Sequence, residues 1–262
     1  MITDPELINS IYNRKLKVIN MGFEPTRRCN LACGHCYVDD AQAVDLDKRV
    51  AQTVLDSFPV ISTINLYGGE SPTSTQGIAC LGDALKEKKT KFNRMGLAAN
   101  MTVYNKDFFE ELKRIESMAQ DTGDWKIGIM MSNDEWHDES MNKAGIRKKD
   151  AEENYERAKK EYPSFFIKKA RYKTKDECCL QPVGRAKKHC DNSIKVIRHD
   201  LVLTKRATPE EMDTLYYFRT DAKGNAIQNW RTYKEGEIIN YGNVLKTPSE
   251  EILIINGRES TV

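Results

Sequence analysis

Cys29, Cys33 and Cys36 fall within eight residues in the spacing C-x3-C-x2-C. Thiolates on one short loop can converge on a metal as three protein ligands. A structural zinc site takes four ligands and closes its coordination, and His35, next to Cys36, is badly placed to be the fourth. Three ligands leave one position open. On a four-iron cluster that means one iron free to take an exogenous molecule, whereas electron-transfer clusters are held by four cysteines. A second constellation is Tyr67-Gly68-Gly69-Glu70-Ser71-Pro72. Paired glycines let backbone approach a ligand closely, and a carboxylate beside them can accept from an ammonium group.

The chain has seven cysteines, an odd number, and its N-terminus lacks the basic and apolar regions of a signal peptide. A disulfide framework is therefore not expected, and metal-binding or reactive roles are. Cys80 lies in a run of apolar residues at helical spacing, 78–85, and reads as a small core residue. Cys178, Cys179 and Cys190 form a looser second group.

The elements that must position these residues follow from hydrophobic periodicity. Strands are expected at 17–24, 60–67, 92–101, 125–132 and 164–172. Helices are expected at 47–58, from Ser74 or Thr75 to about 89, at 106–118 and at 150–162, with a sixth strand and turn at 180–186. Such β/α alternation is the signature of a parallel sheet with crossover helices, whose sites lie beyond the strand C-termini. The cysteines follow the first strand, the Gly-Gly-Glu turn the second, Ala98-Ala99-Asn100 the third, and Met131-Ser132-Asn133-Asp134 the fourth. Asp134, Trp136 and His137 are read as one loop, open to substrate or to surface packing. Beyond residue 190 the pattern becomes short strands, with a hairpin turn at 221–225 and a final helix near 248–255.

Cys29-Asn30-Leu31-Ala32-Cys33-Gly34-His35-Cys36-Tyr37 resembles the signature of the radical S-adenosylmethionine (radical SAM) superfamily, including the aromatic residue after the last cysteine. The resemblance implies a [4Fe–4S] cluster on Cys29, Cys33 and Cys36, whose unique iron is chelated by S-adenosylmethionine. Reductive cleavage of that cofactor then gives methionine and a 5′-deoxyadenosyl radical that abstracts hydrogen from a substrate. It further implies cofactor contacts at Tyr37, Gly68, Gly69 and Glu70, with Asn100 and Ser132 as further candidates. Asn100 reads equally as a turn residue.

Gly184-Arg185-Ala186 is similar to the element that closes the barrel in members carrying a SPASM or twitch extension, which adds Arg185 as a candidate for the barrel mouth, the alternative being a solvated turn. The skeleton at 218–226, 242–244 and 249–252 resembles such an extension, but Gln228-Asn229-Trp230 stands where those families carry a cysteine, and no cysteine follows Cys190. A full set of auxiliary clusters is thereby excluded. The expected fold is α/β: a partial (β/α)6 TIM barrel over 1–190, with a small α+β extension over 191–262 that lacks cluster cysteines.

The expected function is a radical SAM enzyme, an oxidoreductase in the broad sense, acting on a peptide or protein side chain. A small-molecule radical enzyme, or a non-catalytic iron–sulfur or zinc protein, is the alternative. An electron donor such as flavodoxin or ferredoxin is implied. No apolar run approaches the roughly 20 residues that span a bilayer, so a soluble, cytoplasmic protein is expected. Basic residues gather between Lys168 and Lys188, but 41 Lys+Arg balance 39 Asp+Glu and the stripe lacks aromatic interleaving of the stacking kind, which argues against nucleic acid.

Overall fold

The computed structural model describes residues 1–13, 16–38, 42–177, 184–189, 201–204, 212–227 and 240–259. Cys178, Cys179, Cys190, His199 and the 228–230 segment lie outside the described residues, as does the expected boundary at 190.

Five parallel strands run in chain order: β1 (Leu16–Thr26), β2 (Val60–Gly68), β3 (Lys91–Ala99), β4 (Ile127–Met131) and β5 (Phe166–Lys169). Between them lie α2 (Lys48–Ser57), α3 (Thr75–Lys88), α4 (Lys106–Glu116), α5 (Glu135–Lys143) and α6 (Lys148–Glu161), preceded by α1 (Pro5–Tyr12). The strands alternate as their sequences do. Met21, Phe23, Ile64, Leu66, Met95, Leu97, Ile127 and Ile129 are buried, while Asn65, Gly96 and Gly128 point the other way. The buried set packs with Val54 and Leu55 of α2, Ile78, Leu81 and Leu85 of α3, and Phe108, Leu112 and Ile115 of α4 in one core. Among the described residues no helix is long and apolar enough to cross a membrane.

Side-chain oxygens start the helices. Asp4, Asp47, Asn105 and Asp134 each accept a backbone N–H from the first turn of α1, α2, α4 and α5. The last case changes the expected picture, because Asp134, Trp136 and His137 do not form a loop. Asp134 caps a helix whose first turn carries Trp136 and His137, and Trp136 is buried. Cys80 is half-buried rather than core: its place on α3 lies on the flank of the Ile78–Leu81–Leu85 face, where its sulfur accepts from Gln76.

The sixth parallel strand differs from expectation. Of the strand and turn expected at 180–186, residues 180–183 lie outside the described residues, and the turn is the 3-10 segment Gly184–Lys188. The strand completing the set is β7 (Asp213–Arg219), which pairs with β1 at the opposite edge from β5. β6 (Val202–Thr204) joins β7 antiparallel and β10 (Arg258–Glu259) joins β6, so one eight-stranded sheet has the order β10-β6-β7-β1-β2-β3-β4-β5. The expected hairpin turn is present: Asp221 accepts from the N–H groups of Lys223 and Asn225, and Gly224 takes φ +84. Beyond it, β8 (Asn225–Ile227) pairs with β9 (Asn240–Asn243), and α7 (Ser249–Asn256) follows.

β7 carries a buried charge into the sheet. Arg219 Nη2 donates to Glu24 Oε1 of β1 at 3.0 Å, with both side chains 1% exposed or less. Its guanidinium lies 5.0 Å from the Tyr37 ring centroid and 4.8 Å from that of Tyr67. Gly22 makes the crossing possible, because a Cβ there would stand 2.9 Å from Arg219 Cγ. Removing one partner of such a pair leaves a desolvated charge behind. Arg219→Ala is expected to lower the unfolding free energy by about 3–5 kcal/mol, read from urea denaturation midpoints, and the double variant with Glu24→Leu to recover part of that loss.

Candidate functional site

The cysteine loop leaves the C-terminal end of β1 and is pinned from several elements. The Ala32 N–H donates to Ser140 Oγ of α5 at 2.9 Å, Arg185 Nε donates to the Cys33 carbonyl at 3.0 Å, and the Ala186 N–H donates to the Cys36 carbonyl at 3.1 Å. Asn30 Nδ2 donates to Thr102 Oγ1 beyond β3 at 2.8 Å. Cys33 is buried, and Cys29 and Cys36 are half-buried.

The Gly-Gly turn after β2 threads against this loop. The Gly69 N–H donates to the Thr26 carbonyl and the Glu70 N–H to the Arg28 carbonyl, each at 2.8 Å. A Cβ on Gly69 would stand 2.0 Å from the Arg28 carbonyl oxygen, and Gly68 has φ +108, so both positions require glycine. The Gly68 N–H donates to Tyr37 Oη at 2.6 Å, which ties the residue after Cys36 to the turn. Burial pushes the Tyr37 hydroxyl pKa well up.

Glu70 is buried and bridges the ends of β2 and β3. It accepts from the Asn100 N–H at 2.8 Å and the Met101 N–H at 3.3 Å. Each oxygen keeps a lone pair for another donor. Burial is the largest influence on this carboxyl and raises its pKa to about 7, against the two backbone donors, which lower it. Asn100 shapes its own turn as well, since Asn100 Oδ1 accepts from the Thr102 N–H and hydroxyl. Ser132 is set by its N–H bond to the Ala99 carbonyl at 2.8 Å.

All ten residues expected at a metal or cofactor line one cleft of about 870 Å3: Cys29, Cys33, Cys36, Tyr37, Gly68, Gly69, Glu70, Asn100, Ser132 and Arg185. Leu31, Val38 and Leu66 supply apolar wall between them. Part of the basic stripe is paired outside it: Lys169 with Glu152, Arg171 with Glu177 and Lys175 with Glu139.

His137 also lines the cleft and was not among the expected ligands. Its Nδ1 lies 2.8 Å from Asp134 Oδ2. Burial works against its protonated form, but hydrogen bonding to Asp134 and Cys33 outweighs it and carries the pKa to about 10. His35, mainly through burial, is lowered to about 4. The signal for His137 was Asp134 followed by acids at Glu135 and Asp138, a helix start that fixes the side chain three residues after the cap.

The donor set distinguishes between metals. Burial raises the Cys29 thiol to about 11 and raises that of Cys36, so a bound cation would favour the thiolates that burial disfavours. A tetrahedral zinc with Zn–S of about 2.3 Å would hold thiolate sulfurs roughly 3.8 Å apart. Among the described residues, the group whose ligand atoms gather within 4.8 Å is Cys33, His35 and His137, not the three cysteines. The three cysteines line an open cleft with room for a larger group, as a cluster with three protein ligands and one open position requires.

No protein-family model and no curated protein matches the chain. Among solved structures, anSMEcpe with bound AdoMet and Cp18Cys peptide aligns at TM-score 0.51 and 10% identity, covering 90% of this chain and 80% of that one. The same protein with AdoMet and Kp18Cys peptide gives the same score, identity and coverage. The likeness establishes a shared fold.

Glu70 titration has a stability consequence. With a folded-state pKa of about 7 against an ordinary 4.5, the folded chain holds a proton that the unfolded chain releases. The cofactor-free protein therefore loses stability as pH rises between those values, and the loss is complete above the upper one. In Glu70→Gln that component is absent, so urea midpoints measured at pH 5 and pH 8 should fall less in the variant than in the wild type. Parallel pH profiles would mean that Glu70 keeps an ordinary pKa.

Proposed function

We propose that the chain is a radical SAM enzyme that binds a [4Fe–4S] cluster through Cys29, Cys33 and Cys36. The observation that carries this reading is the meeting of those cysteines with the Gly68-Gly69-Glu70 turn in one cleft at the C-terminal ends of parallel strands. When bound, the cluster would supply the electron that cleaves the sulfonium of S-adenosylmethionine.

The chain's own residues bind, orient and exclude water. The glycines bring bare backbone to the cleft, and Glu70, fixed by two N–H donors, presents its remaining lone pairs to an amino group. Tyr37 holds the cysteine loop against that turn. Asn100, Ser132 and Arg185 offer polar atoms around the rim for the ribose and carboxylate. Leu31, Val38 and Leu66 keep water from the reacting centre.

A peptide or protein side chain is the proposed substrate. The support is the shared fold with anSMEcpe, which is bound to AdoMet and a peptide. An external one-electron donor such as flavodoxin or ferredoxin completes the system. We assign 1–190 to the catalytic barrel and 191–262 to an extension that lends β7 to the same sheet.

A second reading has its own observation. Cys33, His35 and His137 gather within 4.8 Å, a spacing suited to one divalent ion in a non-catalytic metal protein. The two readings separate on anaerobic reconstitution. The radical enzyme takes up about four irons per chain and releases 5′-deoxyadenosine with a reductant, and Cys29→Ala abolishes both. A single zinc retained by Cys29→Ala, with no nucleoside formed, would establish the mononuclear site instead.

A further inference from the structure

The inner face of the partial barrel carries one row of residues in register across all six parallel strands: Arg219, Gly22, Asn65, Gly96, Gly128 and Phe166. Half of the row is glycine, which weakens a strand interior and marks places where something approaches the backbone closely. At two of the three glycines the approaching group is present. The stem of Arg219 covers Gly22, and the Trp125 ring covers Gly128, where a Cβ would stand 2.6 Å from it.

Gly96 is open. The nearest atoms to a Cβ built there are Asn65 Oδ1 at 3.7 Å and the Gly128 carbonyl at 4.0 Å. The result is a hollow of about 610 Å3 floored by bare β3 backbone, with Tyr67, Trp125, Met130 and Phe166 around it. It joins the cysteine cleft directly, since Leu66, Tyr67 and Ala98 line both.

The wall is pre-organised. Trp125 stacks on Phe166 with centroids 5.6 Å apart and planes 14° apart, and Arg94 lies 5.2 Å from the Trp125 centroid while pairing with Asp124. Met130 and Phe166 nevertheless remain 42% and 37% exposed, the Lys168 ammonium lying 4.5 Å from the Phe166 ring centroid. One polar side chain faces the floor. Asn65 Nδ2 donates to Asn20 Oδ1, which leaves Asn65 Oδ1 as the acceptor beside Gly96.

We propose that this hollow is the substrate subsite for an aromatic side chain with a hydrogen-bond donor on its edge, an indole or a phenol, lying flat over Gly96. A flat ring can rest on a floor without side chains and meet the Trp125–Phe166 wall, whereas a branched aliphatic side chain leaves Asn65 Oδ1 unpaired. The subsite's role in turnover rests on the radical reading of the adjoining cleft. Its binding chemistry stands apart from that reading.

The test uses the cluster-reconstituted full chain titrated by ligand-observed NMR with N-acetyl-L-tryptophanamide and N-acetyl-L-leucinamide. The wild type is expected to bind the tryptophan amide at least about tenfold more tightly than the leucine amide. Gly96→Val has room for its side chain and suits a strand, so it should fold and keep its reductant-dependent formation of 5′-deoxyadenosine while losing at least about tenfold in affinity for the tryptophan amide. Asn65→Leu, which leaves the floor intact, is a second probe and should remove the preference for tryptophanamide over N-acetyl-L-phenylalaninamide. No binding of the tryptophan amide to wild type, equal binding of the leucine amide, or undiminished binding by Gly96→Val overturns the proposal. Absence of 5′-deoxyadenosine from the wild type removes the radical reading alone and leaves these affinities to decide the subsite.

Discussion

The Arg219 guanidinium, which is excluded from water, holds the two halves of the chain to one geometry. A buried charge is tolerated only where partners converge on it, and here they come from three places: Glu24 of β1, Tyr37 of the cysteine loop and Tyr67 at the end of β2. Glu24 in turn accepts from Arg27 and from the Ala222 N–H in the turn that follows β7. Any slip of β7 along β1 would strand the charge, so the pair specifies register as well as adding energy. Gly22 follows from the same constraint, since a side chain there would close the route by which Arg219 crosses β1.

This constraint reaches the thiols through Tyr37. The ring stacked against Arg219 carries the hydroxyl that accepts from the Gly68 N–H, and Tyr37 directly follows Cys36. Through Arg219, β7 thus helps set the distance between the cysteine loop and the Gly-Gly turn, although it contributes no residue to the lining of the cleft. Opposite it, Glu70 performs a similar task with backbone donors and joins the ends of β2 and β3. The cleft is therefore braced on both sides by buried acids, one paired with an arginine and one pushed toward neutrality by burial. That difference follows from the partner each acid has found.

The five β/α units were legible because their strands and helices are short, strongly periodic and separated by turn residues. The candidate ligands were legible because they sit in contiguous motifs at strand ends. What the sequence concealed is long-range. Nothing local indicates that Asp213–Arg219 pairs with β1, since a strand's partner is chosen by packing and not by its own pattern. Chain order alone points to the segment after β5 as the next strand, whereas among the described residues the strand beside β1 is β7. Helix α5 was missed because its mean character is polar and only Trp136, Ser140 and Met141 are buried, yet its Asp134 cap was visible. With it went His137, whose place beside Cys33 depends on that cap. Arg219 reads in sequence as one more strand-end charge, and only the three-dimensional row reveals what Gly22 makes room for.

The glycine row joins these observations. In a parallel sheet covered by helices on one face, the other face must be filled by its own side chains, by other parts of the chain, or by a ligand. Arg219 fills it over Gly22 of β1 and Asn65 over β2, both in the register row, and the Trp125 ring covers Gly128 of β4. Over β3 nothing among the described residues does, and β3 is the strand whose end, Ala98-Ala99-Asn100, borders the cysteine cleft. A glycine that costs a strand stability without an intramolecular neighbour to justify it is most economically explained by a neighbour that arrives from outside. The gap lies next to Tyr67, one of the residues that both clefts share, which Arg219 holds in place. The buried charge that aligns the sheet therefore also fixes one wall of the space left open beside the thiols.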